Sequence, residues 1–247
     1  MANIAVLVVM ADPPWAVAAS GRYYAKVDGR EAFLRTLELY ANRDSVEQRI
    51  LCVLPDDLSR ISSKYAPNLG FQGVSVATGG PDWFGAVARG LEKLDSQIQW
   101  VVLHDAACPV VPQSLLDALE EGVVKFGAAC PVTPMTTLIT RSGMGAKRIS
   151  PEALKAHGIQ SPCIFSRPVI CHAYANRGGA AGYTDDCGLV EAAGGGSEKG
   201  RITTIAGAPM NLRIDSDELV RVAGDLIRHL PKPKIKAPAS PFDEAQW

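Results

Sequence analysis

Apolar residues run without a break from Ile4 to Met10, with no polar position to mark an exposed face. A strand buried on both sides has this pattern, and such strands sit at the centre of parallel sheets. The period then changes to that of a helix. Phe33, Leu34, Leu37 and Tyr40 share one side of residues 32–40, with Arg35 and Glu38 opposite. A second strand over residues 48–54 stops at Pro55, and Asp56 and Asp57 start a short helix that reaches about Tyr65. Residues 74–77 read as a third strand, broken by Gly79-Gly80-Pro81. Asp82 is placed to cap a helix running to about Leu94, because Phe84, Val87, Ala88 and Leu91 recur at helical spacing. Trp100 to Leu103 is again strand-like and runs directly into His104 and Asp105. Leu115, Leu116, Leu119 and Val123 stripe the next helix, Gly127 ends it, and residues 128–132 form a strand. This regular alternation predicts an α/β fold of three layers around a mostly parallel sheet.

The pattern changes after Pro131. Two short β-prone pieces, residues 136–139 and 147–149, flank Ser142-Gly143-Met144-Gly145 and predict a projecting β-arm over about residues 137–160. Helices over residues 168–175 and 185–193 follow, then a strand over residues 202–205. A terminal amphipathic helix over residues 217–229 carries Leu219, Val222, Ala223 and Leu226 on its apolar side. From Pro231 onward the proline content favours an extended tail. The expected organisation is one domain over residues 1–230 and a proline-rich tail over residues 231–247.

Length and charge narrow the function. A chain of 247 residues suits one large core. A formal net charge of −1 with dispersed basic residues argues against nucleic acid as a partner. The longest apolar run, residues 4–11, falls well short of the roughly 20 residues of a membrane span. Six scattered cysteines with no Cys-x-x-Cys pair and no secretory leader lead to the expectation of reduced thiols in a cytoplasmic protein.

The candidate chemistry sits at strand ends. In open α/β sheets ligands bind outside the carboxyl ends of strands, which is where His104 and Asp105 fall. Two readings of this pair stand side by side: a carboxylate that holds a cation or substrate, and polar caps for the helix that follows. The first strand opens onto Asp12-Pro13-Pro14, and no glycine occurs over residues 11–20. A Gly-x-Gly-x-x-Gly dinucleotide loop is therefore excluded, and two prolines remove amides that could have met a phosphate. Cys108 has only His104, four residues earlier, as a base within sequence reach, which favours a buried thiol over a nucleophile.

Several segments, in order, resemble motifs of the methylerythritol phosphate cytidylyltransferase family. His104-Asp105-Ala106-Ala107-Cys108-Pro109 looks like that family's His-Asp-Ala-Ala-Arg-Pro, and Thr184-Asp185-Asp186-Cys187-Gly188-Leu189-Val190-Glu191 is similar to Thr-Asp-Asp-Ala-Ser-Leu-Val-Glu. Asn211-Leu212-Arg213-Ile214 resembles Asn-Ile-Lys-Ile, Ser161-Pro162-Cys163-Ile164-Phe165 resembles Thr-Pro-Gln-x-Phe, and Gly79-Gly80 with Val87 and Gly90-Leu91 follows a further family pattern.

The resemblance implies a nucleotidyltransferase (Rossmann-like) domain that forms a homodimer through the arm. It implies that CTP and Mg²⁺ are bound, and that CMP passes to the phosphate of the sugar alcohol methylerythritol phosphate. Asp105 would ligand the metal, with Arg22 and Arg213 on phosphates where the family has lysine. Thr184, Asp185, Ser161 and Thr137 would hold the acceptor, and Gly79, Gly80, Asp82 and His104 the nucleotide. The departures are concentrated in the loop Met10-Ala11-Asp12-Pro13-Pro14-Trp15-Ala16-Val17, which has lost the family's two glycines and its arginine. Others are Trp83 and Ala86 in the cytidine-contacting segment, Cys108 for arginine and Cys163 for glutamine. The family's Asp-Thr pair maps onto Pro134 and Met135, or onto Thr136 and Thr137, and the arm's arginine has no counterpart near Ala153. Two functional classes follow: a divergent cytidylyltransferase that uses CTP or another nucleotide, and a non-catalytic paralogue that keeps fold and arm as a binding or scaffolding protein.

Overall fold

The computed structural model describes residues 3–16, 21–136, 155–178, 182–194 and 201–231. The arm expected over residues 137–160 lies mostly outside these, as do Thr137 and nearly all of the tail.

β1 (Ile4–Met10) is buried along its whole length. Ile4, Val6, Val8 and Met10 enter one apolar cluster and Ala5, Leu7 and Val9 the other, as the two-residue period of a strand requires. β1 pairs in parallel with β4 (Val46–Val53) and β6 (Trp100–Asp105), and β4 pairs with β5 (Val74–Thr78). On the far side of β6 the direction reverses. β9 (Cys163–Ser166) is inserted antiparallel between β6 and β7 (Ala128–Pro134), and β7 carries β8 (His157–Ile159) antiparallel and β10 (Thr203–Ala206) parallel. The order β10-β7-β9-β6-β1-β4-β5 puts the switch in strand order between β1 and β6, where a crevice opens at their carboxyl ends.

Helices cover both faces. α1 (Ala32–Glu38) and α5 (Gln113–Phe126) supply Phe33, Leu37, Leu116 and Leu119 to one cluster. α4 (Trp83–Leu91), α6 (Arg167–Ala175) and α7 (Asp186–Ala193) supply Phe84, Val87, Ile170, Leu189 and Val190 to the other. α4 lies close on the sheet because Gly90 has no side chain: a Cβ there would come within 2.5 Å of Cys52 Sγ and 2.7 Å of Leu7 Cδ2. α8 (Asp217–His229) closes a smaller cluster of Val27, Ala32, Val110, Ile214 and Ala223. None of the described helices is long and apolar enough to cross a membrane.

Some elements differ from the sequence expectation. The helix after Pro55 does not stop at Tyr65. α2 (Pro55–Arg60) passes through a π-helical turn, Ile61–Tyr65, into α3 (Ala66–Phe71). Pro67 brings no N–H, and a widened turn ahead of it accommodates the missing donor. α1 and α4 end earlier than expected, at Glu38 and Leu91. A hairpin of β2 (Lys26–Val27) and β3 (Arg30–Glu31) turns at Asp28-Gly29, both with positive φ (49° and 82°), as a two-residue hairpin loop demands.

Candidate functional site

β6 ends in two polar residues that serve different faces. His104 is fully buried and meets the hydroxyl of Tyr40 through Nδ1 at 2.7 Å and the carbonyl of Cys108 through Nε2 at 2.9 Å. A carbonyl can only accept, so Nε2 carries the proton and Nδ1 accepts from Tyr40. Burial lowers the His104 pKa to about 3, so the ring stays neutral and pins the turn after β6. The structure thus places His104 in the core, outside the cavity lining. Cys108, in the same turn, is a buried thiol whose pKa burial raises well above the ordinary range. It fits the inert reading.

Asp105 points the other way. Its Oδ1 accepts from the Ala107 amide at 2.8 Å, which closes the turn, and its Oδ2 accepts from Arg213 Nε at 2.6 Å. It does not cap α5, whose first turn is preceded by Pro112. Arg213 Nη2 donates to Asp12 Oδ1 at 2.5 Å, so one guanidinium bridges the ends of β1 and β6. Trp15 lies over it, ring centroid to Cζ 5.8 Å. Burial pushes the Asp105 carboxyl up while the Arg213 charge pulls it back. Arg213 is in turn held charged, against burial, by Asp105 and Asp12.

Beside this bridge lies a cavity of about 360 Å³, lined by Asp105, Ser161, Thr184 and Asp185 together with Pro13, Pro14, Trp15, Trp83, Gln160 and Asp186 among others. Four residues expected at the acceptor and metal positions are therefore neighbours in space. Ser161 Oγ accepts from the Asp105 amide at 2.9 Å, and Asn211 Nδ2 donates to the Ser161 carbonyl at 2.6 Å. Gln160 Nε2 donates to the carbonyls of Ala208 and Asn211, both at 2.8 Å, and carries the segment that ends in Arg213. Asp185 caps α7 by accepting from the Gly188 amide at 2.6 Å and still borders the cavity.

Other expected residues sit elsewhere. Arg22 pairs with Asp217 at the start of α8; like Arg213 and Asp12 it is outside the cavity lining, but unlike them it takes no part in the bridge to Asp105. Asp82 caps α4 through the Gly85 amide at 2.8 Å. Gly79 and Gly80 hold φ of 149° and 75°, and a side chain on Gly80 would run into the backbone of Gly85. Their local role is the turn before α4, and Trp83 is the residue of that segment that reaches the cavity.

Sequence reasoning did not single out Asp12, which joins the Arg213 bridge, or Asp186, which borders the cavity. Asp12 was visible as a carboxylate at the end of a buried strand, but its partner lies 201 positions away. Asp186 is inside the Thr-Asp-Asp motif and is buried, accepting from Trp83 Nε1 at 2.9 Å and from the Tyr174 hydroxyl. Burial raises its pKa to about 6, and the two donors hold it from going higher. Cys163 and Cys187 also face the cavity, sulfur to sulfur 3.9 Å.

The donor chemistry at Asp12 and Asp105 fits Mg²⁺, which is usually held by one or two carboxylates plus substrate phosphates. Among the described residues no group of three or more His, Cys, Asp or Glu is arranged as a closed protein cage.

A mostly parallel sheet with acidic side chains and a cavity at its switch point defines an α/β protein of the nucleotidyltransferase-like class. Among solved structures, 4-diphosphocytidyl-2C-methyl-D-erythritol synthase from Anaerococcus prevotii superposes with a TM-score of 0.75 at 21% identity, over 92% of this chain and 96% of that one. The chain belongs to the 2-C-methyl-D-erythritol 4-phosphate cytidylyltransferase family, whose model matches residues 13–228. It is 32% identical over 216 residues to the bifunctional enzyme IspD/IspF of Anaeromyxobacter dehalogenans, a match over 85% of this chain and 53% of the relative. It therefore spans about half the length of that bifunctional protein. It is 28% identical over 217 residues to the 2-C-methyl-D-erythritol 4-phosphate cytidylyltransferase of Rhodopirellula baltica, over 83% and 86% of the two chains.

Proposed function

We propose that this chain transfers CMP from CTP to methylerythritol phosphate at the cavity beside β6. The observation that carries the reading is the convergence of Asp105, Ser161, Thr184 and Asp185 on one cavity at the sheet's switch point. Family membership supports it. In the reaction an oxygen of the acceptor's phosphate bonds to the α-phosphorus of CTP, the α–β bridging bond breaks, and pyrophosphate leaves. Little covalent chemistry falls to the protein, which has to position reactants and neutralise charge.

Thr184 and the second carboxylate oxygen of Asp185 hold the acceptor's hydroxyls, and Ser161, fixed by Asn211, sets the floor beside them. Arg213 brings a guanidinium to the phosphate side, and Asp12 and Asp105 are the carboxylates for Mg²⁺. When bound, that ion offsets phosphate charge and orients the triphosphate. Pro13 and Pro14 give no amides, so the triphosphate is held by side chains and metal more than by loop backbone. The protein works in the cytoplasm as a homodimer through the arm over about residues 137–160; sedimentation as a monomer at micromolar concentration would remove the dimer.

The test is incubation with CTP, methylerythritol phosphate and Mg²⁺, with pyrophosphate release and the cytidylylated product followed together. Wild type is expected to turn over, and Asp105→Asn to lose at least about 100-fold, the order seen when a group that stabilises transition-state charge is removed. A wild type that releases no pyrophosphate with CTP or any other common nucleoside triphosphate would end the enzymatic reading and leave the binding paralogue.

A further inference from the structure

Arg213 is the cation between β1 and β6, yet its charge is spent within the protein. Nε is taken by Asp105 and Nη2 by Asp12, which leaves Nη1 without a protein partner among the described residues. Two carboxylates against one guanidinium leave the trio with one net negative charge. The side chain of Arg213 is 11% exposed and that of Asp105 3%, so this imbalance is poorly screened by water. Asp12, at 24%, is the more accessible of the two carboxylates. A phosphate approaching Arg213 therefore meets a cation already outweighed by its own neighbours. A divalent cation travelling with the phosphate would change the sign of that encounter, because Asp12 and Asp105 are the carboxylates that would hold it.

We propose that Asp12 is a specificity-determining residue: by adding its negative charge to that of Asp105 beside Arg213 it makes the site reject free phosphate ligands and accept them with a divalent cation. The proposal rests on the reading that the cavity takes phosphorylated ligands. Asp12 follows the carboxyl end of the central strand, and the one hydrogen bond described for its side chain is the one it accepts from Arg213. Asparagine at this position keeps an oxygen for Arg213 Nη2 and removes only the charge.

The experiment is calorimetric titration with pyrophosphate and with CTP, in EDTA and then in excess Mg²⁺. Asp12→Asn is expected to bind metal-free pyrophosphate about tenfold or more tightly than wild type, the change that one charge-assisted contact is worth. The same substitution should shrink the enhancement given by Mg²⁺. Asp12→Ser, a smaller uncharged side chain, must show the gain too, and Asp12→Glu must restore wild-type behaviour. Adding Arg213→Gln to Asp12→Asn should abolish the gain. Unchanged or weaker metal-free binding in both uncharged variants would overturn the proposal, and so would a gain that survives without Arg213. Absent CTP turnover beside an intact gain would sink the cytidylyl-transfer reading alone. Turnover without the gain would sink this proposal alone.

Discussion

Asp186 is a buried carboxylate that the fold has to keep ionised at neutral pH, and this gives the stability of the protein a pH dependence of known sign. Its pKa moves from 3.8 in the free side chain to about 6, mainly through burial. Because the folded value is raised, the native state binds the proton more tightly than the unfolded chain. The associated stability is fully present below about pH 4 and is lost as pH rises through about 6. At 1.36 kcal/mol for each tenfold change in proton affinity, the loss is about 3 kcal/mol. For a domain of this size that is roughly 6–12 °C in Tm. Other groups titrate in the same range, so the assay is a comparison: thermal or urea unfolding of wild type and Asp186→Asn at half-unit steps from pH 4 to 8. The variant cannot ionise, and the stability difference between the two should swing in its favour by about 3 kcal/mol across the window, then level off. Parallel curves would refute the reasoning, as would a wild type that gains on the variant with rising pH.

Two further substitutions test the frame around the site. Gly80→Ala puts a methyl group into the Gly85 backbone at a residue with φ of 75°, and a loss of more than about 3 kcal/mol in urea unfolding is expected; a loss under 1 kcal/mol would contradict the tight turn. Tyr40→Phe strips His104 Nδ1 of its donor in a fully buried setting and should remove about 1–3 kcal/mol by chemical denaturation while leaving ligand affinity in place.

The parts of the fold that were legible in the sequence are those whose causes are local. β1 announces itself because burial on both faces requires an unbroken apolar run. The Asp82 cap and the Gly127 terminator, with φ of 84°, are visible because each acts within one helical turn. β9 went unread as a strand: it is four residues long, and its partners β6 and β7 lie far back in the chain. Asp105, Ser161, Thr184 and Asp185 were found as motif residues, and their meeting at one cavity is a product of the sheet order. His104 looked like a site residue by adjacency, but alternation along β6 turns it toward Tyr40, 64 positions earlier.

The bridge made by Arg213 also says something about assembly in time. Asp12 and Asp105 precede Arg213 in synthesis and end neighbouring parallel strands, while the guanidinium that joins them lies 108 residues after Asp105. Until that residue emerges, two carboxylates face one crevice with no internal cation between them. A ribosome-bound chain can lay down β1, β4 and β6 while the crevice stays hydrated and open. The last segment, fastened by Gln160 and docked through the Ile214 amide on the Ala107 carbonyl at 2.8 Å, then closes it. The strands that carry both carboxylates can thus pair before the cation that joins their ends has been made.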